Sequence, residues 1–367
     1  MPTPTKRTWA PIFSSPNRNE KYPFRLNGRD IFLNFFGFRI YYTTKPPFFQ
    51  GLYSVCGRDI YHCEVMNMNG TSMTARMCLF ARAYHAQTYG VKVFDDSLAR
   101  QLLTDGEYRQ MAGYLAQGVS FFAPDFQGTA AEALAHVVDS HLSPSPLGRA
   151  AFAETSLKRA AAIGARQYIL LGAGYDTFAC RQPAWAKTLR IFEVDHPATN
   201  ADKQRRLEQA GLVSPDNVRY VPANLALPNW QDALLRCPGF SSEAISFCSL
   251  LGLVYYIPRQ AFDTLLAALE TLFPEGSSLV FDYPVRQTAG SRARKQAQLA
   301  AAAGEPMQDG WSYTEMESIL AKHSFLIYEH LAPPDITAQF FVPFNRVHPG
   351  HPLSAPEGVS YCLAVRK

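Results

Sequence analysis

"YILLGAGYDTFACRQPAWAKTLRIFEVDHP" runs from Tyr168 to Pro197, and its reading decides the fold. An apolar run, Tyr168–Leu171, ends on Gly172-Ala173-Gly174, and a second run, Arg190–Val194, stops at Asp195. A buried strand ending in Gly-x-Gly at the carboxyl edge of a parallel sheet marks a ligand crevice, because bare main chain lets a ligand approach where a Cβ would repel it. Asp195 lies 23 residues after Gly172. That is near the roughly 20-residue offset at which an acid reaches a ribose diol. The two strand ends therefore read as a cradle for an adenosine-type ligand.

A nicotinamide dinucleotide would call for Gly-x-Gly-x-x-Gly and a long helix whose start holds the pyrophosphate. Here position 177 is Thr, and Gln182-Pro183 stops any helix within two turns. Asp176 stands where a pyrophosphate would need donors. A ligand carrying positive charge suits it better, such as the sulfonium and ammonium of S-adenosylmethionine. Asp176 or Thr177 can also cap a short helix, a role compatible with ligand contact.

Downstream, short apolar runs alternate with amphipathic segments. The strands expected are 168–171, 190–194, 219–223, 244–251 and 278–283, with helices in "ATNADKQRRLEQAG" and "RQAFDTLLAALETLF". This alternation predicts an α/β fold, a Rossmann-like parallel sheet covered on both faces. The tail breaks the rhythm: "SYTEMESILAKH" carries a capping box at Ser312 and Glu315, then "FLIYEHL" and "YCLAVRK" follow as a C-terminal antiparallel pair separated by loop. Upstream, four helical patterns in a row, from "SMTARMCLFARAYHAQTYG" to "SPSPLGRAAFAETSLKRAAAIGA", suit an N-terminal helical cap. Domains are thus expected at 1–65 (an aromatic, Pro-rich extension with the strand-like "IFLNFFGFRIYY"), 66–145 (cap or lid) and 146–367 (Rossmann-like domain).

Composition narrows the function classes. Of 367 residues 47% are hydrophobic and 18% charged, enough to bury a large core. Net charge is +4 without a long Lys/Arg run, which gives no basic stripe for nucleic acid. No stretch has the length of a signal peptide or membrane span. Seven cysteines with no C-x-x-C read as reduced thiols in a cytoplasmic protein, and no cluster predicts a metal site.

Three segments, "LGRAAFAETSLKRAAAIGARQYILLGAGYDTFACR", "RIFEVDHPATNADKQRRL" and "CSLLGLVYYIPRQAF", together resemble the leucine carboxyl methyltransferase family. The nearer likeness is to its bacterial branch, which includes O-methyltransferases of the tetracenomycin type. The resemblance spans roughly Met66 to Lys367 and implies S-adenosyl-L-methionine as cofactor. It implies that Arg149 holds the methionyl carboxylate and that Gly172, Ala173 and Gly174 underlie the methionine, with Asp176 in the same loop. It implies further that Asp195 binds the ribose and that Asn224-Leu225 lies beside the adenine. Asn224 replaces the family's usual acid, and an amide can still hydrogen-bond an adenine edge. Leu251 stands where eukaryotic members carry Glu, which puts a protein-phosphatase substrate in doubt.

Methyl transfer from a sulfonium needs nucleophile, methyl carbon and sulfur nearly collinear, so positioning carries much of the work. A carboxylate acceptor is ionised at neutral pH and needs no base, whereas a phenol or alcohol benefits from one. Candidate catalytic groups are His348 and His351 in "NRVHPGHP" and Tyr255 in "LVYYI", although the tyrosine fits sheet-end packing as well. The expectation is O-methylation of a carboxylate or a phenolic or hydroxyl group on a small molecule or peptide. Competing readings are a cofactor-binding regulatory module without turnover, a nicotinamide-dependent oxidoreductase and a nucleic-acid methyltransferase. The last lacks an Asn-Pro-Pro-Tyr-like signature.

Overall fold

The computed structural model describes residues 72–286, 291–302 and 305–367, together with three N-terminal strands. The chain divides into two units, Met1–Met68 and Asn69–Lys367. In the first, β1 (Tyr22–Leu26) and β2 (Arg29–Leu33) form an antiparallel pair, and β3 (Tyr41–Tyr42) joins β2. The rest of the strand-like 31–42 segment lies outside the described residues.

The second unit opens with α1 (Met73–Thr88), whose Ser72 side chain accepts from the Ala75 N–H. A 3₁₀ turn (Ala99–Leu102) precedes α2 (Asp105–Gln117), so the second of the four helical patterns, "DDSLARQLLTDGEYRQMAGYLAQG", folds as two pieces. Thr104 and Glu107 form a capping box there and restart the chain as a new helix. α3 (Val119–Phe122) and α4 (Ala130–Val137) follow. A π-helical turn (Val138–Leu142) then joins α4 directly to α5 (Pro144–Ile163). Pro144 and Pro146 fall just past this widened turn, where a missing N–H and the proline ring do least damage. Gly164 ends α5 at φ 130°.

The core sheet holds seven strands. They are β4 (Gln167–Leu171), β5 (Arg190–Asp195), β6 (Val218–Pro222), β7 (Ser246–Leu250), β8 (Ser278–Pro284), β9 (Phe325–Leu331) and β10 (Val359–Arg366), in the order 6-5-4-7-8-10-9. The first five are parallel, and β10 runs antiparallel between β8 and β9. β4 and β7 are uniformly buried, the signature of a sheet covered on both faces.

The covering helices are α6 (Phe178–Arg181), α7 (Pro197–Gln209), α8 (Gln231–Leu235), α9 (Arg259–Leu272), α10 (Ser291–Ala302) and α11 (Tyr313–Lys322). The predicted Ser312–Glu315 capping box starts α11. The stretch between β9 and β10 is not plain loop: it folds as α12 (Pro333–Ile336), a π-helical turn (Thr337–Phe341) and α13 (Val342–Val347). Two apolar clusters fill the molecule, one built around Tyr168, Phe178 and Tyr361, the other around Phe192, Phe262 and Phe281.

Candidate active site

Strand order reverses between β4 and β7, and the carboxyl ends of both stop at glycines of positive φ. Gly172 lies at φ 70° and Gly174 at φ 51°, while Gly252, past β7, lies at φ 68°. Leu253 packs its side chain over Gly172, and Ala75 of α1 faces Gly174. α6 is a single turn stopped before Pro183, as expected. Asp176 accepts from the Phe178 N–H at 2.7 Å and so starts that turn. Thr177 is buried and bonds to Asp96 instead.

Asp195, at the end of β5, accepts from the Gly174 N–H at 2.5 Å and the His196 N–H at 2.6 Å. Burial pushes its carboxyl above the usual range, and these two main-chain donors pull it back part of the way. A carboxylate offers about four lone-pair directions, so roughly two remain for the hydroxyls of a ribose. Asn224, after β6, turns its Oδ1 to the Ala226 N–H at 3.0 Å, and Leu225 beside it is half-buried.

On the other side of β4, Arg149 of α5 donates to Asp282 at 3.3 Å and to the Cys78 thiol at 3.3 Å. Burial opposes the charge of Arg149, but Asp282, with Cys78, Tyr255 and Tyr256 adding to it, more than offsets that and the guanidinium's pKa is raised. Asp282, fully buried on β8, also accepts from the Gly252 N–H at 2.6 Å. Glu154 is not the partner of Arg149. It pairs with Arg181, because five residues along a helix turn a side chain away from the first one's face. Leu251 is half-buried where β7 ends.

The sequence candidates therefore separate into two groups. Gly172, Ala173, Gly174, Asp176, Asp195, Asn224, Leu225, Leu251 and Arg149 gather along the carboxyl ends of β4 to β7. His348 and His351 do not join them. His348 lies within hydrogen-bonding distance of the Val91 carbonyl at 3.1 Å, and His351 Nδ1 lies 3.2 Å from Asp139. Asp139 precedes Arg149 by ten residues, about 15 Å of helix. Tyr255 is buried beside Asp282, and burial raises its phenol well above the usual pKa. Sequence reading missed Cys78 at this site; Asp282 reads from the sequence as an acid at a strand's carboxyl end, where functional residues gather, but not as the partner of Arg149. Cys78 and Asp282 stand 71 and 133 residues from Arg149, and no local pattern links them.

Cys78, Cys180, Cys237, Cys248 and Cys362 are free thiols, while Cys56 and Cys63 lie outside the described residues. Among the described residues no group of three or more His, Cys, Asp or Glu side chains is placed to hold a metal. None of their helices is long and apolar enough to cross a membrane.

A parallel sheet extended by an inserted antiparallel strand, with bare glycines facing an acid across neighbouring strand ends, defines the Rossmann-like class of S-adenosylmethionine-dependent methyltransferases. Within that class, the chain belongs to the leucine carboxyl methyltransferase family, whose pattern matches residues 75–270. A Bacillus subtilis protein named as S-adenosyl-L-methionine-dependent methyltransferase YktD is 38% identical over 311 residues, 82% of this chain and 100% of that one. A similarly named Frankia alni protein is 37% identical over 147 residues, 40% of this chain and 50% of that one. Among solved structures, a DUF574 family protein from Streptomyces avermitilis shares the fold. Its TM-score is 0.52 at 16% identity, covering 81% of this chain and 98% of that one.

S-adenosyl-L-methionine is thus the cofactor, and the nicotinamide alternative falls away. The residues present fit it: an acid with lone pairs to spare at one strand end, glycines beneath, and a charged guanidinium at the other.

Proposed function

We propose that the protein transfers the methyl group to oxygen, with a carboxylate on a small molecule or peptide as the favoured acceptor. Asp195 would hold the ribose, Asn224 and Leu225 would flank the adenine, and Arg149 would take the methionyl carboxylate. The bound cofactor supplies an already activated methyl group. The protein's part is to align an oxygen with it and to keep water out.

What supports the carboxylate over the phenol is the placement of the histidines. His351 is engaged by Asp139, about 15 Å of helix away from Arg149, His348 is engaged by the Val91 carbonyl, and the raised Tyr255 phenol does not act as a base near neutrality. A carboxylate ionises at about pH 4 and asks for no base. The test is transfer from a methyl-labelled donor into pools of carboxylic acids and of phenols, followed by mild alkali. Carboxyl methyl esters release labelled methanol, whereas aryl ethers keep their label. Alkali-stable product alone would overturn the carboxylate reading, and absence of transfer to any pool or to cell extract would favour a binding module.

A further inference from the structure

A charge held partly out of water needs a partner. Among the described residues every buried or half-buried lysine and arginine has a carboxylate within ion-pair distance, with one exception. The exception is Lys295 of α10, which is half-buried. Its Nζ donates to the Phe122 carbonyl at 2.7 Å and lies 6.0 Å from the centre of the Phe121 ring. A lysine on the last carbonyl of a helix also caps it, and α3 ends at Phe122. That bond uses one of three ammonium donors and leaves the charge without an acid. Asp176 and Asp195, in the cradle proposed for the cofactor, share the condition: both are half-buried and neither has an ion pair among the described residues.

The place of α10 gives this cation a use. Past the end of α10, Glu305 accepts from Thr74 of α1. Ala75, next in the chain, faces Gly174, and Cys78, one turn on, accepts from Arg149. The Gln308 N–H donates to the Tyr255 carbonyl at 2.7 Å. Toward its other end Gln296 donates to the His141 carbonyl at 3.0 Å, so α10 rests there on α3 and on the π-helical turn before α5. The surroundings of Lys295 are aromatic: Phe121 meets Phe122 edge-on at 5.1 Å, and His141 packs on Phe122 at 4.6 Å. Lys295 lies seven residues before Ala302, about 10 Å of helix from the end that is tied beside Gly174 and Arg149.

We infer that Lys295 is a specificity-determining residue that binds an oxyanion of the acceptor, roughly 10 Å from the oxygen that receives the methyl group. The acceptor is then an elongated molecule with an aromatic or apolar body, and it still carries negative charge after methylation. The inference rests on the proposed methyl transfer and names the substrate class; it holds for a carboxylate or a phenol as the reacting group.

The experiment transfers label from a methyl-labelled donor into cell extract with the whole chain, Lys295→Met and Lys295→Arg, and passes the products over an anion exchanger at once. The labelled product should be retained and elute with salt. Lys295→Met should raise the amount of extract needed for half-maximal transfer about tenfold or more, the scale of a hydrogen bond between charged groups. The maximal rate, and the affinity for S-adenosylhomocysteine by calorimetry, should stay within about twofold, and Lys295→Arg should restore most of the loss. A product that runs through uncharged overturns the inference, as does a Lys295→Met variant that saturates like the unaltered protein. Equal losses of rate and cofactor affinity would make Lys295 a structural tie between α10 and α3. If the unaltered protein labels nothing, it is the transfer reading that fails. Lys295 is then judged by fluorescence with 8-anilinonaphthalene-1-sulfonate and the uncharged N-phenyl-1-naphthylamine. Lys295→Met should weaken only the sulfonate, and any other pattern removes the anion subsite.

Discussion

The two ends of the proposed cofactor site, the nucleoside end at Asp195 and the methionine end at Arg149, use one local device in different ways. At the nucleoside end Asp195 accepts from the N–H of a positive-φ glycine, Gly174. At the methionine end Asp282 accepts from the N–H of another, Gly252. Asp195 is then held only by a second main-chain donor and stays half-open, whereas Asp282 is fully buried and committed to Arg149. One carboxylate keeps a side that a ligand could reach, and the other is enclosed beside a cation. Binding and stability should therefore come apart at the nucleoside end and move together at the methionine end.

The largest effect expected is at Gly252. A Cβ there would lie 2.4 Å from the Arg149 guanidinium, and φ 68° is already strained for alanine. Gly252→Ala should expel the guanidinium and cost about 3–5 kcal/mol, the scale of breaking a buried ion pair. Urea unfolding measures this, and calorimetry should show cofactor affinity lost alongside. A loss under about 1 kcal/mol would mean that the arginine swings aside freely, and the contrast between the ends would fail.

Asp195→Asn tests the other end. Burial already disfavours the charge of Asp195, so removing it should leave the unfolding midpoint nearly unchanged. Affinity for S-adenosylhomocysteine should nevertheless fall roughly a hundredfold, because two charge-assisted hydrogen bonds to the ribose are weakened. A stability loss as large as the binding loss would make Asp195 a structural acid like Asp282.

This asymmetry also explains what the sequence disclosed. The nucleoside end is built from Gly172, Gly174 and Asp195, which lie close in the chain, so spacing alone placed them. The sheet was legible for the same reason, since its central strands carry their own apolar runs. The methionine end draws on Cys78, Arg149, Gly252 and Asp282, joined only through the fold. Arg149 was found by resemblance, and its partner is not Glu154, the nearest acid in the chain, but Asp282, 133 residues on. The helices between β9 and β10 were hidden as well. Pro333, Pro334 and Pro343 read as loop, yet each sits in the first turn of a helix, where proline is tolerated.

Acid offers a milder way to separate the ends. Tyr175, next after Gly174, donates to Asp202 at 2.6 Å, and Arg206 pairs with both Asp202 and Glu107. Burial pushes Glu107 up, but hydrogen bonds from Arg206 and Thr104 and the charges of Arg206 and Arg76 hold it at about 2. Asp202 is likewise held at about 2 against its burial by Tyr175, Arg206 and Arg205. Both acids are stronger in the folded chain than in the unfolded one, so their ionised forms stabilise the fold. That contribution is complete above the unfolded pKa values, roughly 4, and fades as pH falls toward 2. Thermal melts should show on the order of 2 kcal/mol lost across that window. Glu107→Gln should flatten the slope there. An unchanged slope would uncouple α2 and α7 from the loop that carries Gly174.

The smallest effects concern the two cradle glycines, and they sharpen the comparison within one end. At Gly172 a Cβ would meet only Leu253, at an ordinary 3.6 Å, so alanine there adds mainly the strain of φ 70°. That costs about 1 kcal/mol. At Gly174 the φ of 51° is as unfavourable, and the new Cβ would also press on Ala75 at 3.4 Å. Because α1 carries both Ala75 and Cys78, and Cys78 accepts from Arg149, pressure on Ala75 passes to the guanidinium at the far end. Gly174→Ala should thus cost a few tenths of a kcal/mol more than Gly172→Ala. Combined with Cys78→Ala, it should lose that excess. Differential scanning of the two single and the double variants measures the coupling. Strict additivity between positions 78 and 174 would show that α1 does not connect the two ends, and that each carboxylate keeps to its own ligand group.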